Sequence, residues 1–490
     1  MPPGPFERTT LVRFLVGLLA ILIVTAQVDA SVWFARAQAS GDGTGPAVPI
    51  GSSVVLDAAT RPGDIIILLP GKQPFDGGIA LKTNQTLIGL ADADRKPTLT
   101  NSHLDQNGGN GVVLADDCKV LNIRIEHVKA SGVLGVDVSG ANLLGIEVED
   151  ANQSAGYTTA KANVLGPISH GGILFIMAQP GKFAENRVVQ CAVANTRGIG
   201  IGTFALGGGR SRVMVSNTSA TGGTLVQPLF DMGLIALGDE RNSEARLEMA
   251  NTNVSGRLSN QGRNVVVFAS AQASASARIE RSTLGATGQD GVVAVAALVP
   301  ATAKVEIRDS VIEKAAQMNI EGSILNLPAS EPARAHESVV SIDIERSVIR
   351  DAGAVDGFRA EAQNIWLGPT VFDKGPFARG QYCLDIRDST IEKAFKTGIA
   401  LGNEGSEFGI TPDDGEYHVR LRNNTIKENG SVDVAISATK ARIDARRNWW
   451  GEPAGLAESR IRLLEQAKRT QLDASQPLSS ALVRIHNERR

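Results

Sequence analysis

The chain has 490 residues, enough for two or three ordinary domains, although a chain that grows by repeats along one axis escapes that division. Aromatic residues make up only 4% of it while glycine reaches 52 residues, so a core must be filled by stacked Val, Ile, Leu and Ala. That suits parallel strands better than a globular core anchored on Trp and Phe. A net charge of -3 with both signs interspersed excludes electrostatic attraction to nucleic acid or to an anionic membrane.

Arg8 and Arg13 precede an apolar run over residues 14–24, and Val28-Asp29-Ala30 offers small residues at the two positions a signal peptidase reads. The uncharged stretch is shorter than the roughly 20 apolar residues of a membrane span. The pattern predicts a signal peptide over residues 1–30, with an uncleaved anchor as the alternative, and an exported protein that is secreted or periplasmic. No stable membrane insertion is expected once the signal is removed.

Residues 31–90 read as an N-terminal cap and first coil. Residues 52–59 suit a short helix, Arg61-Pro62-Gly63-Asp64 a turn, and 65–69 a buried strand; Pro70-Gly71 turns again before short strands at 79–81 and 86–89. A stack of strands must cover its ends, where apolar surface and unpaired backbone groups would otherwise be open.

From residue 91 to 455 an eight-residue pattern returns: two aliphatics two apart, a small polar residue three further on, then another aliphatic. Val305-x-Ile307-x-x-Ser310-x-Ile312 is one copy, and others carry Ser347, Ser389 and Asn424 at the small position. A strand that bends at a small residue and continues inward is one rung of a stacked coil. The bends fall at 123, 146, 191, 218, 252, 282, 310, 347, 389, 424 and 446. Polar side chains stacked there are expected to hydrogen-bond from coil to coil and fix register. The spacing from 146 to 191 fits either one coil with a long loop or two minimal coils. Cys191 takes the small-residue place, and with Cys118 and Cys383 it makes an odd set without metal spacing, so a packed thiol is favoured over a disulfide. Long insertions recur at one corner, over 325–337, 368–379 and 403–416, and another over 152–169 precedes the strand at Gly171. Insertions repeated at a corner wall one face of a solenoid. Beyond the last rung, residues 456–490 form a tail in which 458–472 reads as a short amphipathic helix.

The run Arg61–Leu69 through Gly77–Leu90 resembles the opening coil of secreted right-handed parallel β-helix proteins of the pectin-lyase-like superfamily, and the Asn448-Trp449-Trp450-Gly451 rung resembles the one that closes such helices. With the rungs between, the resemblance covers residues 40–455. It implies an all-β, right-handed parallel β-helix of eleven to thirteen coils with an N-terminal cap and a short C-terminal helix. It also implies a carbohydrate-active or polysaccharide-binding protein, although this superfamily holds lyases, hydrolases, epimerases, adhesins and binding proteins.

Asp116-Asp117-Cys118 and His170-Gly171-Gly172 resemble two steps of the inverting polygalacturonase site, in which one carboxyl protonates the leaving oxygen and another activates water. The third Asp step and the Arg-Ile-Lys step are absent, and the first run also reads as a turn entering a strand. A polysaccharide lyase needs a positive group to neutralise a uronate carboxylate and a base to remove the C5 proton. The insertion over 152–172 supplies Tyr157, Lys161 and His170 as catalytic candidates. Arg334, Lys374 and Arg379, all in inserted loops, are candidates for binding an anionic substrate. Glu404, Asp413 and Asp414, in the acidic loop 403–416, are candidate Ca²⁺ ligands, or simply a solvated acidic loop. β-Elimination is therefore the better expectation than hydrolysis if the protein is an enzyme, with a polysaccharide as partner and a monomer as its state. The alternative is a non-catalytic surface or periplasmic solenoid for adhesion or scaffolding.

Overall fold

The computed structural model describes residues 30–92, 95–163, 165–226, 230–297, 300–326, 337–355, 362–371, 380–402, 415–438, 440–463 and 470–478. Its strands stack into three long sheets in which every pairing is parallel. Among the described residues sheet I has 15 strands, sheet II has 11 and sheet III has 13. The chain visits them in turn. Phe183–Val189 lies in sheet I, Ala192–Ala194 in sheet II, Ile199–Ala205 in sheet III, and Arg210–Ser216 returns to sheet I directly against the first. One such circuit is one coil, and the crossover sense that strand twist favours makes the solenoid a right-handed parallel β-helix.

Sequence dictates this by alternation. Strands of sheet I such as Thr302–Arg308 alternate buried and open positions, Ala303, Val305 and Ile307 pointing inward and Lys304 and Glu306 outward. Strands of sheet III carry near-continuous apolar runs, as in Arg263–Ser270 and Asp290–Ala297, and are buried on both faces. The interior core runs the length of the solenoid through residues such as Val120, Val188, Leu247, Ile307, Ile386 and Ile443. Tyr382 and Tyr417 stack inside it with centroids 4.5 Å apart.

From Gln190 onward the bends between sheets I and II turn on a single left-handed residue. Gln190, Asn217, Asn251, Arg281, Asp309, Arg346, Asp388, Asn423 and Arg447 all have φ between 45° and 60° there. The small residue that follows is tied to the next coil by its own backbone. The N–H of Ser282 donates to Ser310 Oγ at 3.1 Å, Ser310 N–H to Ser347 Oγ at 3.2 Å, and Ser347 N–H to Ser389 Oγ at 3.1 Å. Ser389 N–H then donates to Asn424 Oδ1 and Asn424 N–H to Asn448 Oδ1, both at 2.9 Å. The expected polar ladder is present, and its last member is Asn448 rather than position 446. Cys191 holds its place as a buried free thiol whose N–H donates to Thr218 Oγ1.

The interval 146–191 is a single coil, since Asn142 pairs directly with Arg187 and Glu147 with Ala192. Its extra length forms an antiparallel hairpin of strands Tyr157–Ala162 and Gly166–Ser169. A short helix spans Ser53–Ala59, within the 52–59 that the sequence predicts. The C-terminal segment departs from expectation. In place of an amphipathic helix over 458–472, the described residues form one 3-10 turn, Glu458–Arg460, and two strands. Ile461–Leu463 pairs with Val432–Ile436 and Gln471–Asp473 with Lys440–Asp444. The open backbone edge of the last coil offers these short segments more hydrogen bonds than an isolated turn or two of helix provides. Among the described residues, no helix is long and apolar enough to cross a membrane.

Candidate functional site

The outer face of sheet III carries the hairpin inserted before the strand at Gly171. Its register separates two sets of side chains. Ile173, Ile201, Leu234, Val265, Val292 and Ile320 face the interior core, whereas Leu174, Ile235, Leu237, Val266, Phe268 and Val293 form a second apolar cluster outside it. The hairpin covers the N-terminal part of that cluster with Ala162, Ile168 and the partly buried Tyr157, joined by Val226 and Phe230. Asn163 N–H donates to Asp239 Oδ2 at 2.6 Å and pins the hairpin tip to the sheet.

Polar groups take over further along the same face. Arg263 and Asp290 stand opposite each other on adjacent strands, and Glu321 on the next strand is level with the outward Val293 and Trp366. Arg263 Nε lies 3.4 Å from Asp290 Oδ2, with the two side chains 17% and 1% exposed. Asp290 Oδ1 accepts the Met318 N–H at 3.2 Å. The Asp290 and Glu321 carboxyls are close enough to influence each other's charge. Burial first, and the Asp290 charge second, raise the Glu321 carboxyl above its ordinary value, so the pair favours holding a proton. Burial also raises Asp290, against the opposing pull of Arg263. Shifted carboxyls beside a cation on this face make the cluster the candidate functional site.

The sequence candidates fall in different places. Tyr157 pairs across the hairpin with Ser169 and meets the Phe230 ring edge-on, with centroids 6.4 Å apart. Lys161 is exposed nearer the tip, opposite Pro167. His170 ends the hairpin; it is 7% exposed, with Nδ1 2.8 Å from Ser131 Oγ, and burial lowers its pKa to about 4. The hairpin thus brings Tyr157 beside the His170 corner. It does not bring either to the carboxyl pair: the strand at Gly171 is five strands from the strand at Met318, a separation of about 24 Å at the usual interstrand spacing. Asp116 accepts the Ser139 N–H at 2.8 Å and Asp117 has φ 57°, so this run is a turn between coils. Arg334, Lys374, Arg379, Glu404, Asp413 and Asp414 lie outside the described residues. Among the described residues no three His, Cys, Asp or Glu side chains are grouped to hold a metal ion.

Sequence reading missed Arg263, Asp290 and Glu321. The signal was present as charges inside the apolar strands 263–270, 290–297 and 318–326, but the outward register had to be known before those charges could be seen to converge. Charges on sheet I are of another kind. Arg212 bridges Glu185 at 2.9 Å and Glu248 at 2.7 Å, and such pairs tie coil to coil.

No protein-family model and no curated protein matches the sequence. Solved structures similar to it include the periplasmic alginate epimerase AlgG, at 12% identity and a TM-score of 0.41 over 83% of this chain and 79% of that one. Polygalacturonase from Erwinia carotovora ssp. carotovora aligns at 10% identity and a TM-score of 0.42 over 92% and 96%. The lacto-N-biosidase from Eubacterium ramulus aligns at 10% identity and 0.37 over 92% and 68%. At such identities the likeness is one of fold alone.

Proposed function

We propose that this chain is an exported β-helix protein that binds a polysaccharide where Arg263 and Glu321 reach solvent on the outer face of sheet III and acts on it there, with a uronate-containing glycan as substrate. The observation that carries this reading is the convergence of Arg263, Asp290 and Glu321 on that face. A rigid sheet of stacked strands can align several sugars, and the polar cluster supplies charge and a retained proton at one point along them. Hydrolysis by paired carboxyls fits poorly. A retaining pair stands about 5 Å apart and an inverting pair further, with both carboxyls open to the sugar, whereas Asp290 is enclosed and its charge bears directly on Glu321. β-Elimination asks instead for a neutralised substrate carboxylate, which Arg263 and a protonated Glu321 can provide. In this reading Tyr157, Lys161 and His170 belong to the hairpin wall and meet the glycan at another sugar, the His170 corner lying about 24 Å away by strand count. Ca²⁺ binding by Glu404, Asp413 and Asp414, and anion binding by Arg334, Lys374 and Arg379, remain separate proposals that the same screen tests through its Ca²⁺ arms and uronate substrates.

The test is a screen of the chain without residues 1–30 on uronate-containing and neutral polysaccharides, with and without Ca²⁺. Ultraviolet absorbance reports unsaturated products and reducing ends report cleavage of either kind. A joint rise supports elimination. Reducing ends alone would overturn elimination in favour of hydrolysis, and silence with no glycan retained would overturn the whole reading in favour of a non-catalytic solenoid.

A further inference from the structure

The carboxyl pair leaves one buried oxygen without a donor. Asp290 Oδ2 accepts no hydrogen bond, although its side chain is almost wholly enclosed and Arg263 Nε stops 3.4 Å short of it. The group that faces it from the next strand is another carboxyl, that of the half-buried Glu321. Two ionised carboxylates at this depth would repel, and a single proton held between them removes the repulsion and supplies the missing hydrogen bond. One proton across the pair, with Arg263 alongside, leaves the cluster with no net charge. The site therefore presents no electrostatic barrier to an anion.

Resting on the assignment of this face to a polysaccharide, we propose that Glu321 recognises the carboxylate of a uronate residue by donating the proton it shares with Asp290. In the free protein the Glu321 hydroxyl points to Asp290 Oδ2. On binding it turns to the incoming carboxylate, and Arg263 closes the remaining gap to the oxygen left behind. No bond other than hydrogen bonds is made or broken, and the proton stays on Glu321. Charge-assisted O–H···O⁻ bonds are the strong ones, so the exchange favours an anionic sugar over a neutral one. Recognition of this kind needs a donor at position 321, not a negative charge.

The experiment is calorimetric titration of the chain lacking residues 1–30 with oligouronates and with neutral oligosaccharides of equal length, each with and without Ca²⁺. Wild type is compared with Glu321→Gln and Glu321→Ala, and thermal melts confirm that each variant is folded. Glutamine offers two N–H donors in the same shape, so Glu321→Gln should bind oligouronates within about threefold of wild type, while Glu321→Ala should lose tenfold or more. Neutral glycans should be nearly indifferent to both changes. Equal losses in Gln and Ala would overturn the proposal, as would oligouronate binding that requires Ca²⁺ and vanishes in Glu321→Gln, which would make the pair a cation site. Glycan binding indifferent to position 321 would overturn this inference and leave the polysaccharide function standing. No glycan binding by wild type would overturn both.

Discussion

Nδ1 of His170 lies 2.8 Å from Oγ of Ser131, with both side chains enclosed at the corner where the hairpin enters sheet III. Burial holds the imidazole neutral, its pKa lowered from 6.5 to about 4. The unfolded chain takes a proton near 6.5 and the folded one does not. Stability from this group is therefore present above pH 6.5 and lost as pH falls towards 4, by on the order of 3 kcal/mol. Urea midpoints between pH 7 and 4 should fall more steeply for wild type than for His170→Gln. Parallel slopes would show that this histidine is not held neutral by the fold.

Arg257 and Asp231 are both fully buried, 3.2 Å apart. The guanidinium also donates to Thr196 O, Gly198 O and Thr196 Oγ1, and Ser259 Oγ donates to Asp231 Oδ2, so one ion pair joins the corners of three coils. Removing one partner strands a buried charge. Asp231→Asn or Arg257→Met should each cost about 3–5 kcal/mol in equilibrium unfolding. Replacing both with apolar residues should cost clearly less than the sum, and simple additivity would contradict the pairing.

The bend ladder predicts a graded series. Ser310→Ala removes one acceptor from the Ser282 N–H and should cost about 1 kcal/mol. Asn424→Ala strips an acceptor from Ser389 N–H and a donor from Ile386 O, both buried, and should cost about 2–3 kcal/mol. Denaturant midpoints at unchanged slope would measure this; equal effects at the two positions would mean that the side-chain ladder does not set the order.

A Lys161 variant distinguishes the hairpin wall from the carboxyl pair. Lys161→Ala should weaken oligouronate binding about threefold and leave the turnover of bound substrate unchanged, because its exposed ammonium meets the glycan away from Glu321. Steady-state kinetics on long and short substrates checks this, and a fall in kcat with unchanged KM would move the chemistry to the hairpin.

The solenoid was legible because its signal is local and repeated. The Ser310, Ser347, Ser389 and Asn424 rungs state where each strand bends, and the ladder between them follows from backbone spacing alone. The site was not legible for the opposite reason. Arg263, Asp290 and Glu321 are 27 and 31 residues apart in sequence and become neighbours only through the parallel register Arg263↔Asp290 and Val293↔Glu321. Tyr157, Lys161 and His170 were conspicuous as polar residues in a long insertion, and the hairpin gives two of them packing roles that sequence alone could not weigh. The C-terminal segment carried a helical spacing, and at Ile461–Leu463 and Gln471–Asp473 the edge of the last coil overrode it.

The most direct test of the central claim is the structure of crystals of the protein soaked with an oligouronate. The account predicts a sugar carboxylate within hydrogen-bonding distance of Glu321 on the outer face of sheet III, with the chain running across the strands towards the hairpin. An oligouronate bound on sheet I or sheet II, with the Asp290–Glu321 pair untouched, would contradict it.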